Sequence, residues 1–333
     1  MAQQYDFIAI GDITNDAFIK LSKKDARVTI DSKTGHKKLE MNFGEKLPYE
    51  SVTVINAVGN ATNAAVSAHR LGLRSAPVVN LGHDRNGKDC LDQLRKEGID
   101  TDFVKMHEGK ATNYHYVLQL GAERTILIKH EEYPYTLPDF RIPPHFFYFS
   151  SIGEKGLQLH YDIAEYLAEH PETKLAFQPG TFQIRLGVEI LKELYARTEI
   201  FFCNKEEAQE ILKTEETNMK ELLRRMRDLG PTIPVITDGP NGAYALDGET
   251  AWYMPMYPDP KEPISRTGAG DAFASTFTSA LILGHDIQTA LAWGPINSMS
   301  VVQHIGAQVG LLARPEIETY LKNAPADYVP KKI

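Results

Sequence analysis

The run Thr267-Gly268-Ala269-Gly270-Asp271 stands directly before an apolar stretch, Ala272 to Leu283, in which Phe273, Phe277, Ala280 and Leu281 recur at helical spacing. The glycines therefore sit at a helix N-terminus. There the first backbone N–H groups lack intrahelical acceptors and the dipole favours negative charge, so Gly268 and Gly270 let an anion approach bare main chain. An aspartate in the first turn is favoured by the same dipole and stays ionised at neutral pH. So placed, Asp271 can accept a proton from a hydroxyl that attacks a phosphoryl group. A weak base suffices, because phosphoryl transfer depends mostly on positioning and charge stabilisation. Taken alone, a Gly-x-Gly-Asp run is also a capped turn with no ligand, so the reading depends on the rest of the chain.

The elements that must position this turn alternate. Strand-like apolar segments at Phe7 to Ile10, Pro77 to Leu81, Phe146 to Ser150, Leu175 to Phe177, Ile200 to Cys203 and Val235 to Thr237 are separated by helical patterns. The helices are expected at Ala61 to Leu71, Lys88 to Glu97, Leu157 to His170, Gly187 to Ala196, Lys205 to Lys213, Met219 to Leu229 and Ala272 to Leu283. Such alternation argues for a mostly parallel sheet covered by helices. Two segments break the rhythm. Lys38 to Phe43 alternates polar and apolar residues, and Tyr114 to Leu120, the turn Gly121-Ala122-Glu123 and Arg124 to Lys129 read as a hairpin. Together they predict a small sheet standing apart as a lid.

Composition excludes several classes. Over 333 residues the net charge is -8, and no basic run overturns it locally, so nucleic acid is not an expected partner. No stretch approaches the ~20 apolar residues that span a bilayer. Met1 to Gln4 lead straight into the first apolar run with no export signal, and Cys90 and Cys203 form no paired or zinc-spaced motif, which points to a reducing cytoplasm. Gly82 to Asp89 has Walker A spacing but ends in Asp89 where a hydroxyl is required, and the 11 histidines include no metal-ligand pair.

The unbroken Thr267 to Phe273 motif resembles the C-terminal signature of the ribokinase-like, or PfkB, carbohydrate and nucleoside kinases, and the likeness extends in order over nearly the whole chain. It implies a three-layer α/β/α sandwich with a mostly parallel central sheet and a small β lid. By this resemblance Gly268, Ala269 and Gly270 are the anion hole for the transferred phosphate and Asp271 is the catalytic base. Asp16, after Gly11-Asp12 at the end of the first strand, looks like the substrate-hydroxyl aspartate; a carboxylate can accept two hydrogen bonds from a vicinal diol. Gly59, Asn60 and Asn63 resemble the first signature and would reach sugar hydroxyls, although Val58 and Asn60 stand where many ribokinases have glycine and lysine. Asn204, Thr237, Gly239, Gly242, Thr267 and Asn297 resemble ATP-side positions, and Glu207 the residue that orders Mg2+ through water. Asn-x-x-Glu at positions 204 to 207 is equally a helix cap. Ser265-Arg266-Thr267 lacks the aspartate of potassium-activated members, which argues against a K+ requirement and leaves Arg266 free to bring its own charge.

The expectation is thus an ATP- and Mg2+-dependent kinase for a hydroxymethyl group on a small sugar, with a nucleoside such as adenosine as the alternative acceptor and a non-catalytic ligand-binding protein of the same fold as the rival. The expected core comprises residues 1–19, 51–108 and 131–333, and the lid residues 20–50 and 109–130. Tyr114, Tyr116 and Phe43 would suit either a stacked base or a lid interior, and His115 could touch a substrate. Exposed lid edges invite pairing with a second copy, giving a homodimer.

Overall fold

The near-continuous apolar runs of the sequence become the middle of a ten-stranded sheet. Its order is Lys331–Lys332, Thr250–Met254, Ala243–Asp247, Ile233–Thr237, Ile200–Asn204, Lys174–Phe177, Phe146–Phe149, Phe7–Ile10, Ser75–Gly82 and Val104–His107. The strands from Ile233–Thr237 to Val104–His107 are parallel, and those at the other end are antiparallel. The computed structural model describes residues 3–32, 35–121 and 123–333; the turn residue Ala122, Lys33 and Thr34 of the expected lid, and Met1 and Ala2 lie outside them.

Both faces of this sheet are covered. Phe7 and Ala9 join one apolar layer with Ala61, Val66, Phe273, Phe277 and Trp293, while Ile8 and Ile10 join another with Ile163, Leu194, Leu222 and Met226. The alternation follows from the two-residue period of a strand, and it explains why central strands carry no polar face. Each such fully buried Phe or Ile contributes ~1.5–3 kcal/mol. Three layers of α, β and α result, as expected. Among the described residues no helix is long and apolar enough to cross a membrane.

Two expectations need correction. The helix expected over Gly187 to Ala196 is confined to Lys192–Ala196, and a separate short helix, Thr181–Leu186, precedes it. Gly187, at φ 83°, ends that preceding helix, and its N–H bonds back to Gln183 and Ile184. The strand Lys37–Met41 does not join the lid sheet; it pairs only with Ala26–Ile30 in a separate two-stranded sheet. Its alternation is real, but only Leu39 in it is even partly buried, so no core lies beneath to anchor it.

The lid sheet is built from Tyr49–Val58, Thr14–Leu21, Tyr114–Leu120 and Glu123–Leu127, in that order. Thr14–Leu21 and Tyr114–Leu120 run parallel, and the other pairs antiparallel. Sheet membership thus begins at Thr14, earlier than residue 20, and extends to Val58. The register slips between Thr14 and Asp16, where Ala57 adopts φ 59° and donates its N–H to Asn15 Oδ1 at 3.3 Å. This bulge bends the strand where the lid leaves the core.

Candidate active site

Parallel strands end together, so the loops beyond Ile10, Phe149, Phe177, Asn204 and Thr237 share one edge of the sheet. Asp271 meets that edge from the first turn of the helix Ala269–Ile282 and is buried. Its Oδ1 accepts from Asn60 Nδ2 at 2.9 Å and from Gln178 Nε2 at 3.3 Å, and its Oδ2 accepts from Asn63 Nδ2 at 2.8 Å. Asn60 and Asn63 open the helix Asn60–Arg70 three residues apart, hence on one face. The Tyr148 hydroxyl donates to Gln178 Oε1 and so turns the amide nitrogen of Gln178 toward the carboxylate.

Burial pushes the Asp271 carboxyl above the usual range; the amides of Asn63, Gln178 and Asn60 pull it back, and the charge of Asp16 adds to the rise. The result is a carboxylate oriented by neutral amide donors, which suits proton acceptance.

The glycine turn beside it leaves main chain bare. The helical ladder opens with Ala272 N–H donating to Gly268 O at 2.9 Å, so the N–H groups of Ala269, Gly270 and Asp271 precede the first intrahelical bond. Gly268 has φ 83°, and a Cβ there would stand 2.3 Å from Ala307 Cβ; the Gly306-Ala307 turn thus packs against the glycine itself. A Cβ on Gly270 would meet only Gln178 Nε2, at 3.7 Å, which leaves that side of the turn open. Thr267 Oγ1 is buried without a partner.

On the lid side Asp16 is buried, and its Oδ1 makes no hydrogen bond, although His115 Nδ1 approaches to 3.4 Å. Asp12 Oδ1 accepts from the Tyr135 hydroxyl at 2.7 Å, and Asp12 Oδ2 lies 3.0 Å from His130 Nδ1 without hydrogen-bond geometry. The His115 and His130 rings are 5.3 Å apart. Gly59, at φ 119°, lets the helix start press on the strand end, since a Cβ would lie 2.5 Å from Asp12 O. Buried polar atoms with no partner are costly unless a polar ligand satisfies them. In the parallel register Asp16 pairs with His115, so Tyr114 and Tyr116 point to the opposite face, where they line a cavity of about 420 Å³ with Asp84, Asn86 and Lys129. Phe43 is fully exposed.

The expected ATP-side residues group less tightly. Asn204 and Thr237 are register partners at the ends of neighbouring parallel strands. Asn204 caps the next helix: its Oδ1 accepts from Glu207 N–H and Glu207 Oε2 accepts from Asn204 N–H, both at 2.8 Å. Burial raises the Glu207 carboxyl, with Glu206 and Glu210 adding to the rise. Gly239 and Gly242 have φ 48° and 96° in the turn after Thr237. Asn297 lies in the helix Ile287–Val302, whose Ser298 hydroxyl donates to Ala269 O at 2.8 Å. Asn297 is fully buried, its Nδ2 donating to Thr276 Oγ1 at 2.7 Å and its Oδ1 accepting from Leu312 N–H at 2.9 Å.

Sequence reasoning missed Gln178, Tyr148, Tyr135 and His130. Gln178-Pro179-Gly180 directly after a parallel strand was the available signal, a polar residue at the ligand-facing end before a turn. Tyr148 had none, being one aromatic among Phe146 to Phe149.

The chain as a whole resembles known proteins. Residues 28–314 match the model of the pfkB family of carbohydrate kinases. An ATP-dependent 6-phosphofructokinase of Thermoanaerobacterium thermosaccharolyticum is 26% identical over 274 residues, 78% of this chain and 82% of that protein. A cytidine kinase of Thermococcus kodakarensis is 30% identical over 258 residues, covering 75% and 87% of the two chains. The solved structure of Arabidopsis thaliana ribokinase complexed with ribose and ATP superposes with a TM-score of 0.77 at 18% identity, over 96% of this chain and 99% of that one. With the family model matched over most of its length, the chain belongs to the pfkB family and is a phosphotransferase with an alcohol group as acceptor.

Proposed function

We propose that this chain transfers the terminal phosphoryl group of ATP to a hydroxymethyl group of a small sugar. The observation that carries this reading is the Asp271 carboxylate, buried and held by Asn60, Asn63 and Gln178 next to the N–H groups of Ala269 and Gly270, which precede the first intrahelical bond. The acceptor hydroxyl lies between Asp271 and the phosphorus. Asp271 takes the proton as the new P–O bond forms, while the glycine-turn donors stabilise charge on the phosphoryl oxygens and ADP leaves. Asp16 holds acceptor hydroxyls, and closure of the lid sheet excludes water.

Asn204 and Thr237, with the Gly239 and Gly242 turn, offer the nucleotide side at the same sheet edge. Among the described residues no cluster of three or more His, Cys, Asp or Glu side chains could grip a metal directly. A magnesium ion would be carried by the nucleotide phosphates and water, where Glu207 Oε1, unused in the helix cap, would be available to the water shell and the ion would neutralise phosphate charge. The run Ser265-Arg266-Thr267 supplies no carboxylate for potassium.

A sugar is preferred to a nucleoside because Tyr114 and Tyr116, the lid aromatics that would suit a stacked base, lie on the face opposite Asp16. A homodimer through the lid is consistent with the exposed apolar residues Val52, Val54, Tyr116 and Leu127 on that outer face. Assay of ADP release with ATP, magnesium and a panel of sugars and nucleosides tests the reading. Release with a sugar supports it, release only with nucleosides transfers the assignment to that class, and none with any acceptor leaves a non-catalytic binding protein.

A further inference from the structure

A cavity of about 240 Å³ opens between the helices Leu157–Glu169 and Thr181–Leu186, with Gly153, His160, Phe182, Gln183 and Leu186 among its walls. Two of these walls join it to the acceptor side of the sheet edge. A Cβ on Gly153 would stand 3.1 Å from the Tyr135 hydroxyl, 3.9 Å from Asp12 Oδ2 and 3.9 Å from His130 Cβ. The Phe182 ring is roughly perpendicular to the His130 ring, with 6.2 Å between centroids. His130 leads back to Asp16, since its ring is 5.3 Å from that of His115, whose Nδ1 is 3.4 Å from Asp16 Oδ1. Along this path Asp16 Oδ1, His115 Nε2, His130 Nδ1, Asp12 Oδ2 and His160 Nε2 are buried with no hydrogen-bond partner.

His160 sets the chemistry of the cavity. It is 2% exposed, and the Phe149 ring packs against it at 4.9 Å. Its Nδ1 stands 2.8 Å from Gly156 O, a carbonyl that can only accept, so Nδ1 carries the ring proton. Burial pushes the ring below the usual histidine range, which keeps it neutral and leaves Nε2 an acceptor with nothing to accept from. Gln183 is already used at both ends: its Nε2 donates to Ser150 O at 3.0 Å and its Oε1 accepts from Gly180 N–H at 2.6 Å. A single buried acceptor beside the apolar side chains of Phe182 and Leu186 suits a hydroxyl on a short apolar stem and does not suit an anion. Pockets that hold a whole small molecule run to ~300–1,000 Å³. A space of about 240 Å³ therefore takes part of a molecule whose remainder lies next to it, on the acceptor side.

We propose that His160, Phe182 and Leu186 form a subsite beyond Asp12 and His130 for a hydroxyl-bearing substituent at the end of the acceptor remote from its reacting hydroxymethyl group. The acceptor is then a neutral sugar extended at that end, not a bare one. This deepens the kinase reading above and rests on it.

The test uses the full chain with ATP and magnesium and compares the ethyl and 2-hydroxyethyl glycosides of the sugar that gives turnover. These acceptors differ only in the terminal hydroxyl, so general damage from a substitution cancels in the ratio of their KM values. In the wild type the hydroxyethyl glycoside should have the lower KM by about fivefold or more, the worth of one hydrogen bond. His160→Phe keeps a ring and removes the acceptor, and Leu186→Trp fills the cavity; each should bring the ratio close to one. Both variants are checked for native circular dichroism. Turnover of the bare sugar alone, equal KM values in the wild type, or a ratio that persists in either natively folded variant overturns the subsite while the kinase stands. Turnover confined to nucleosides puts a base where the substituent should lie and overturns it too. Should the wild type release no ADP with any acceptor, the kinase reading fails, and the ratio of calorimetric Kd values for the two glycosides decides the subsite alone.

Discussion

Asn63 Nδ2 donates to Asp271 Oδ2 at 2.8 Å across 208 positions of sequence. The bond joins the start of the helix Asn60–Arg70 to the start of the helix behind the glycine turn. Asn63 is itself fixed, because its Oδ1 accepts from Gln308 Nε2 at 3.1 Å, and Gln308 also donates to Ala57 O at 2.8 Å in the lid bulge. The lid bulge, the helix Asn60–Arg70 and Asp271 are thus one connected unit.

Replacing the base should remove turnover and leave the fold. Asp271→Asn is nearly isosteric, and general-base loss costs ~10²–10⁴-fold in rate. Single-turnover phosphorylation should fall by that factor, with a melting temperature within a few degrees of wild type. Retained turnover would show that another group takes the proton.

The pH profile should carry the raised value of Asp271. Only the ionised carboxylate accepts a proton, so the acid limb of kcat/KM should lie above the usual aspartate value of about 3.9. Asn63→Leu removes a donor that holds the value down, so the limb should move to higher pH. Stability runs the opposite way. The folded state holds this proton more tightly than the unfolded chain, so the contribution of Asp271 to folding is fully present below its unfolded value and is lost as pH rises through the folded one. A limb that stays fixed in Asn63→Leu would break the link between the two residues.

Acceptor binding should separate from nucleotide binding at Asp16. Loss of charged hydrogen bonds in Asp16→Ala should raise acceptor KM by ~10–100-fold while leaving KM for ATP nearly unchanged. Equal changes in both constants would place Asp16 in a general structural role.

The glycine turn should tolerate no side chain at Gly268. Gly268→Ala forces a Cβ to 2.3 Å from Ala307 Cβ at φ 83°, and such strain costs ~1–3 kcal/mol. Chemical denaturation should show that loss, together with weaker nucleotide binding. An unchanged midpoint would mean that the turn relaxes freely.

Much of this was legible in the residues. The central strands could be read because burial on both faces leaves unbroken apolar runs such as Phe146 to Phe149, and the glycine turn because helix-start chemistry is local in sequence. The alternating segment Lys38 to Phe43 pairs with Ala26–Ile30 and not with the lid sheet, because alternation reveals a strand without naming its partner. The face of Tyr114 and Tyr116 depended on a parallel pairing with Thr14–Leu21 across some hundred residues, which no local pattern encodes. The same holds for Gln178, whose contact with Asp271 exists only in the assembled sheet. Asn297, expected beside a nucleotide, uses its amide to tie the buried helix Ile287–Val302 to Thr276 and Leu312.

The most direct test of the central claim is a crystal structure of Asp271→Asn with ATP, magnesium and the acceptor that gives turnover in the wild type. The account predicts the terminal phosphate within hydrogen-bond distance of the N–H groups of Ala269 and Gly270, with the acceptor hydroxyl between it and residue 271. A terminal phosphate bound away from that helix start would contradict it.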